Sequence, residues 1–250
     1  MRFVIIIPVL LKRGTQAKFK LIQQQVVKLF PEAILAPLLN GKSKSELEKI
    51  AQKLAASQVE PLVIAEKNLF NVLLNGYQEV VKKYPKQLMV RMDISEHPIS
   101  AVGDLIAEVK KNKGMVVGDL SFTCRTMKVF SLDWFMHKFI FPDMYHLFTK
   151  GKLDLSCAHG FQAFYNDKVL AKVLQGAQDI VFQIKKDKRF HPKWGFDGAM
   201  ALAAAGLKVP VDKIEIKAIE LRKRSYEKIL RQYFDNRKIC QAASKVFGSL

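Results

Sequence analysis

Residues Gly76–Pro98, GYQEVVKKYPKQLMVRMDISEHP, decide how the chain reads. A helix-patterned run gives way to a turn at Tyr84-Pro85-Lys86 and then to the apolar run Gln87-Leu88-Met89-Val90, which stops at Arg91-Met92-Asp93-Ile94-Ser95-Glu96-His97-Pro98. A buried strand that delivers charged groups at its carboxyl end is the usual way an open α/β sheet builds a site. His97-Pro98 reads as the turn into the next helix, with Pro98 at the first helical position, where its missing N–H costs nothing.

Working outward, short apolar runs alternate with helical spacing. Phe3–Pro8 is short, β-branched and apolar, which predicts a buried strand ended by Pro8. Residues 16–29 place Phe19, Ile22, Val26 and Leu29 on one helical face. Ala33–Leu38 is a second strand, followed by a turn at Asn40-Gly41 and by Ser45 with Glu48 as a capping box. Leu47, Ile50 and Leu54 continue that helix as far as Gln58, and Leu62–Ala65 is a third strand. Beyond Pro98, Val102, Leu105, Ile106 and Val109 share a helical face, and Gly114–Gly118 is a fifth strand. Strands alternating with helices, joined by right-handed crossovers, predict an α/β fold: a mostly parallel, twisted sheet with helices on both faces. Residues 1–120 form its nucleotide-binding half.

The second half is less regular. FSLDWFMHKFIFPDMYHLF, residues 130–148, is dense in aromatics and broken by Pro142. It reads either as a pair of core helices or as an interfacial segment that rests Trp134, Phe135, Phe139, Phe141 and Tyr145 on a bilayer surface. A small-residue helix from Gly198 to Ala205 is closed by Gly206 as a left-handed cap, and Asp197 is either its N-cap or a functional acid. Lys208–Leu221 alternates apolar and polar positions, as a half-buried antiparallel strand would. Residues 230–250 form a terminal helix.

Bulk properties exclude several classes. The three cysteines, Cys124, Cys157 and Cys240, are odd in number and widely spaced, so neither a disulfide framework nor a zinc site is read, which suits a reducing cytoplasm. No apolar run is long enough to span a bilayer. The formal charge of +18 raises the local concentration of polyanions without choosing among nucleotide phosphates, anionic lipid and nucleic acid. A basic nucleic-acid-associated protein remains an alternative, although no RNA-recognition aromatic motif, helix-turn-helix or zinc finger is present to support it.

The strand ending in an acidic cluster and His-Pro resembles the sugar-nucleotide strand of inverting family 2 glycosyltransferases. Their dolichyl-phosphate mannosyltransferase-like branch, whose strand ends D-x-D-L-S-H-x-P, is the most similar. Asp93 then stands for the second Asp and Arg91 for the first. Gly160-Phe161-Gln162-Ala163-Phe164 resembles the Gly-Phe-Arg-Ala-Phe segment of the same branch. The helix, G-x-x-V-P-V, strand and basic ending through Arg222, Arg224 and Lys228 is similar to its closing section.

The resemblance implies a GT-A, Rossmann-like domain over residues 1–229, with 121–229 as the acceptor half and a short antiparallel section in the second half. It implies transfer of a hexose from a nucleotide-diphosphate sugar to a lipid-phosphate or glycan acceptor, with the chain cytoplasmic or peripheral at the inner face of an anionic membrane. Pro8, Lys42, Arg91, Asp93, Arg222 and Arg224 fall at donor positions, and His159, Gly160, Gln162 and Lys228 at acceptor positions. Asp197 is the first candidate for the general base, and a lipid-phosphate acceptor would need none.

In the family a divalent ion on the D-x-D stabilises the departing diphosphate, and here only Asp93 remains to hold Mg or Mn. Two accounts follow. Arg91, with Lys42, Arg222 and Arg224, pairs with the phosphates in place of the ion, so that no metal is needed. Alternatively, the site has lost its donor chemistry, Asp93 caps a turn, and the chain is a non-catalytic binding protein.

Overall fold

The computed structural model describes residues 2–11, 15–55, 58–66, 69–93, 99–120, 135–151, 160–186, 195–216 and 225–248. Seven strands, β1 (Phe3–Leu10), β2 (Ala33–Asn40), β3 (Leu62–Val63), β4 (Leu88–Arg91), β5 (Met115–Leu120), β6 (Gln162–Phe164) and β7 (Val211–Ile216), form one sheet in the order β3-β2-β1-β4-β6-β5-β7. Eight α-helices flank them among the described residues: α1 (Thr15–Leu29), α2 (Lys44–Leu54), α3 (Leu69–Lys83), α4 (Val102–Asn112), α5 (Phe141–Thr149), α6 (Asp167–Lys185), α7 (Phe196–Gly206) and α8 (Tyr226–Phe247).

Both faces of the sheet are covered, which is why β1 reads as an unbroken apolar run rather than an alternating one. On one face Phe19, Ile22 and Val26 of α1, Leu47 of α2, and Val102, Leu105 and Val109 of α4 pack on Ile5, Ile7 and Val90. On the other, Phe70, Leu73, Tyr77 and Val80 of α3 join α5 to α8 over Val4, Ile6 and Met89. Residues 198–204 of α7 are all buried, as expected of a helix with apolar or small residues all round.

Among the described strands the sheet is parallel except at β6, which runs antiparallel between β4 and β5, with Arg91 opposite Gln162 and Met115 opposite Phe164. The short antiparallel section is therefore β6. The 208–221 region instead provides β7, parallel to β5 with Met115 opposite Val211. Its apolar-polar alternation arises because β7 is an edge strand with much of its length exposed.

Several local expectations are corrected. The capping box uses Ser43 and Glu46, whose side chain and backbone bonds are reciprocal, rather than Ser45 and Glu48, and α2 stops at Leu54. The left-handed residue after α7 is Lys208, not Gly206, and the N-cap of α7 is Gly195, which leaves Asp197 inside the first turn. Pro142 opens α5 after a π-type turn at Met136–Ile140 instead of separating two long helices. Phe141 and Tyr145 are buried, so of the described aromatics proposed for a bilayer only Phe135 and Phe139 are exposed. The terminal helix begins at Tyr226 rather than Leu230 and contributes Ile229, Ile239 and Cys240 to the main core.

Gly114 turns the chain into β5 against β7: a Cβ there would fall inside contact distance of the Pro210 carbonyl oxygen, which accepts from the Met115 N–H at 2.8 Å. Backbone cannot swing aside as a side chain can. Gly114→Ala is expected to destabilise the fold by about 1–3 kcal/mol, read as a lowered urea midpoint with unchanged slope.

Candidate functional site

Crossovers carry the chain from β1 to β2 and β3 on one side, then α3 returns it to β4 on the other side of β1. The strand order thus reverses between β1 and β4, and ligands of open α/β sheets bind outside the carboxyl ends of strands at such a point. β4 pairs with β1 only as far as Arg91 opposite Ile6, whereas β1 continues beside β2 to Leu10. Residues Ile7–Leu10 therefore overhang the end of β4. Ile6 accepts the Met92 N–H at 3.1 Å, so even-numbered β1 residues turn their polar groups toward β4. Pro8 would direct its N–H to that side, past the last pairing, and proline is tolerated there without ending the strand.

Arg91 and Asp93 lie on one face of the β4 exit, and Met92 faces the opposite core, as a period of two requires. Arg91 is 1% exposed, the bulkiest fully buried side chain among the described residues. Its Nη2 donates to Asp93 Oδ1 at 3.2 Å, and its Nη1 donates to Asp197 Oδ1 on the first turn of α7, 106 residues away. The two carboxylates keep 29% and 21% of their side-chain surface exposed, so they reach solvent while the guanidinium lies behind them.

Tyr77 of α3 adds its hydroxyl to the wall around Arg91. Burial works against the charged form of Arg91, yet Asp93 and Tyr77 outweigh it and hold its pKa above the ordinary value. The Tyr77 phenol is pushed up to about 12 by burial, opposed by Arg91 and reinforced by Asp93. Arg91 Nε, the Tyr77 hydroxyl and Gln162 Oε1 are buried atoms that lack a well-formed hydrogen bond.

Gly160 and Gln162 close the site from β6. A Cβ on Gly160 would fall within contact distance of both Asp93 Oδ2 and Arg91 Nη2, so this backbone lies directly on the ion pairs, the close approach that glycine permits. Gln162 Nε2 donates to the Asp197 carbonyl at 3.5 Å. The amino end of α7 is crowded further by Tyr145, whose hydroxyl lies where a Cβ of Gly198 would be, and by Asn236 of α8 beside Gly195, whose φ is +93°.

Of the residues singled out in the sequence, the fold thus gathers Arg91, Asp93, Gly160, Gln162 and Asp197 at one point. Arg91 is engaged by the chain's own carboxylates, Asp93 and Asp197. Lys42 lies just past β2 on the same edge of the sheet, exposed and paired with Glu46 at 3.3 Å. Lys228 is exposed on the first turn of α8. His159, Arg222, Arg224, Trp134 and the His97-Pro98 turn lie outside the described residues. Tyr77, Tyr145 and Asn236 were not singled out. Tyr77 sits at ordinary core spacing after Phe70 and Leu73, and nothing local marks it as polar wall.

A hard divalent ion seeks about six oxygen ligands. Among the described residues no three acidic, His or Cys side chains converge to supply them, and the two carboxylates that do converge already share a guanidinium. As arranged, these residues do not fit such an ion. No helix of the described residues is long and apolar enough to cross a membrane.

No protein-family model matches the chain, and no curated protein matches it in sequence. Solved structures do match in shape. Glucosyl-3-phosphoglycerate synthase from Mycobacterium tuberculosis, in complex with Mn2+, uridine diphosphate and glucosyl-3-phosphoglycerate, superposes with a TM-score of 0.57 at 12% identity, over 100% of this chain and 81% of that one. Its complex with uridine diphosphate gives 0.54 at 11% identity, over 100% and 81%. 4-Diphosphocytidyl-2C-methyl-D-erythritol synthase gives 0.52 at 12% identity, over 94% and 99%. The chain therefore has the GT-A, Rossmann-like fold: a mostly parallel sheet, of seven strands among the described residues, flanked by helices. At these identities the likeness is one of fold.

Gly160→Ala is expected to displace both Asp93 and the Arg91 guanidinium from the β6 backbone and to lower the melting temperature, read by differential scanning calorimetry against wild type. A second expectation concerns alkali. The folded state holds the Tyr77 proton more tightly than the unfolded chain, so its contribution is complete below pH 10 and lost as pH rises toward about 12. Over that window wild type should lose about 2–3 kcal/mol relative to Tyr77→Phe, measured by urea unfolding of both proteins.

Proposed function

We propose that the chain is a nucleotide-sugar transferase that moves a hexose from a nucleoside diphosphate to a hydroxyl or phosphate acceptor with inversion. The observation that carries the reading is the carboxylate pair Asp93 and Asp197 at the switch point between β1 and β4, on a fold shared with structures in complex with uridine diphosphate. The donor's base and ribose would lie along the overhanging edge of β1, with Asp93 accepting from a ribose or sugar hydroxyl.

Attack by the acceptor oxygen on the anomeric carbon breaks the bond to the diphosphate, which leaves with the bonding pair. In this reading Asp197 accepts a hydroxyl proton from the acceptor, and its pairing with Arg91 supports that role by fixing its orientation. When the acceptor is a lipid phosphate, the nucleophile is already ionised and Asp197 serves to position it. Lys42, Arg222 and Arg224 are the basic side chains available to the diphosphate. The exposed Phe135 and Phe139, whose rings lie 5.4 Å apart, are the apolar surface the chain would offer to a lipid-borne acceptor.

The test is a thermal-shift panel of UDP, GDP, CDP and their hexose conjugates. One nucleotide, and its sugar conjugate at least as strongly, should raise Tm by a few degrees when present well above its Kd, and that rise should be reduced in Asp93→Asn. A folded chain indifferent to every nucleotide would contradict the reading.

A further inference from the structure

We infer that Arg91 is the resident cation of this site: its guanidinium occupies the point between Asp93 and Asp197 where a divalent ion would otherwise bind, and closes it to such ions. The inference deepens the transferase reading and, for its catalytic meaning, rests on it. Two carboxylates from elements 106 residues apart converge on one positive centre, the arrangement a chain uses to hold a cation. Here the cation is covalently part of β4. It cannot exchange, because Arg91 is 1% exposed and the backbone of Gly160 lies against both Asp93 and the guanidinium.

Burying a guanidinium costs several kcal/mol of desolvation, which two charge-assisted hydrogen bonds offset. Removing it would take away the cation the two carboxylates share, and like charges held near one another favour binding of a cation or a proton. The side chain of Arg91 is therefore a positioning group for both acids, and its fixed charge is the local substitute for a metal. The trio carries a net charge of −1, where the same carboxylates around a divalent ion would be neutral. The remaining charge on a departing diphosphate then falls to side chains at the edge, of which Lys42 is the described example.

Mn2+ binding, followed by the EPR signal of the free ion, tests this without nucleotide. Wild type should bind no Mn2+ at this site at millimolar concentration. Arg91→Ala should gain one ion with at least about tenfold higher affinity than wild type, and Arg91→Ala/Asp197→Asn should lose it again. Wild type that binds Mn2+ and releases it on Asp93→Asn would overturn the inference, as would Arg91→Ala with no gain. Since emptying a buried site can unfold the chain, Arg91→Ala is also refolded with Mn2+ or with guanidinium ion at sub-denaturing concentration. Recovery of a cooperative melt with either supports a cation site, and recovery with neither contradicts it. A chain that passes these tests but answers to no nucleotide keeps the resident cation and loses the transferase reading. One that binds a nucleotide only with Mn2+ keeps the reading and loses the resident cation.

Discussion

The double ion pair of Arg91 with Asp93 and Asp197 is the constraint on which the site depends. It ties the exit of a central strand to the first turn of a helix in the other half of the chain, and nothing else described joins those two segments so directly. A buried pair is weak evidence for stability, because the desolvation of the charges consumes most of what their attraction gains. Its use here is geometric. The guanidinium holds both carboxylates and leaves part of their surface open to solvent.

The sheet supplies the rest of the arrangement. Insertion of β6 between β4 and β5, opposite in direction to both, brings the backbone before Gln162 over the end of β4, where Gly160 can lie on the ion pairs. The overhang of β1 past β4 opens one wall. Burial of α7 among small residues allows its amino end to sit close under Tyr145 and Asn236. Each feature would be unremarkable alone. Together they place two acids at the point where the strand order reverses.

Much of this was legible in the sequence, for identifiable reasons. Apolar runs of four to six residues separated by helical spacing pointed to the parallel α/β half, because strands buried on both faces need not alternate. The abrupt change from Val90 to Arg91 marked the site. What escaped was long-range. Asp197 and Arg91 were both singled out, but their pairing depends on how α7 crosses the sheet, which no local pattern encodes. Nor does any local pattern show that the guanidinium at the end of that strand has two carboxylate partners within the chain. The 208–221 segment was misread because an exposed edge strand alternates whether its neighbour is parallel or antiparallel. Ser43 was missed as a cap since Ser45 and Glu48 carry the same spacing one turn-start later, and only backbone geometry separates the two.

The central claim is that the chain's own guanidinium stands where a metal ion would, and that the nucleotide binds in front of it. The most direct measurement is a crystal structure grown with UDP or another responding nucleotide and excess Mn2+, with anomalous data collected at the manganese edge. Nucleotide density along the overhang of β1, an intact Arg91 bridge to Asp93 and Asp197, and no anomalous peak between the two carboxylates are the predicted result. A manganese peak between Asp93 and Asp197 with Arg91 displaced onto the phosphates would contradict it.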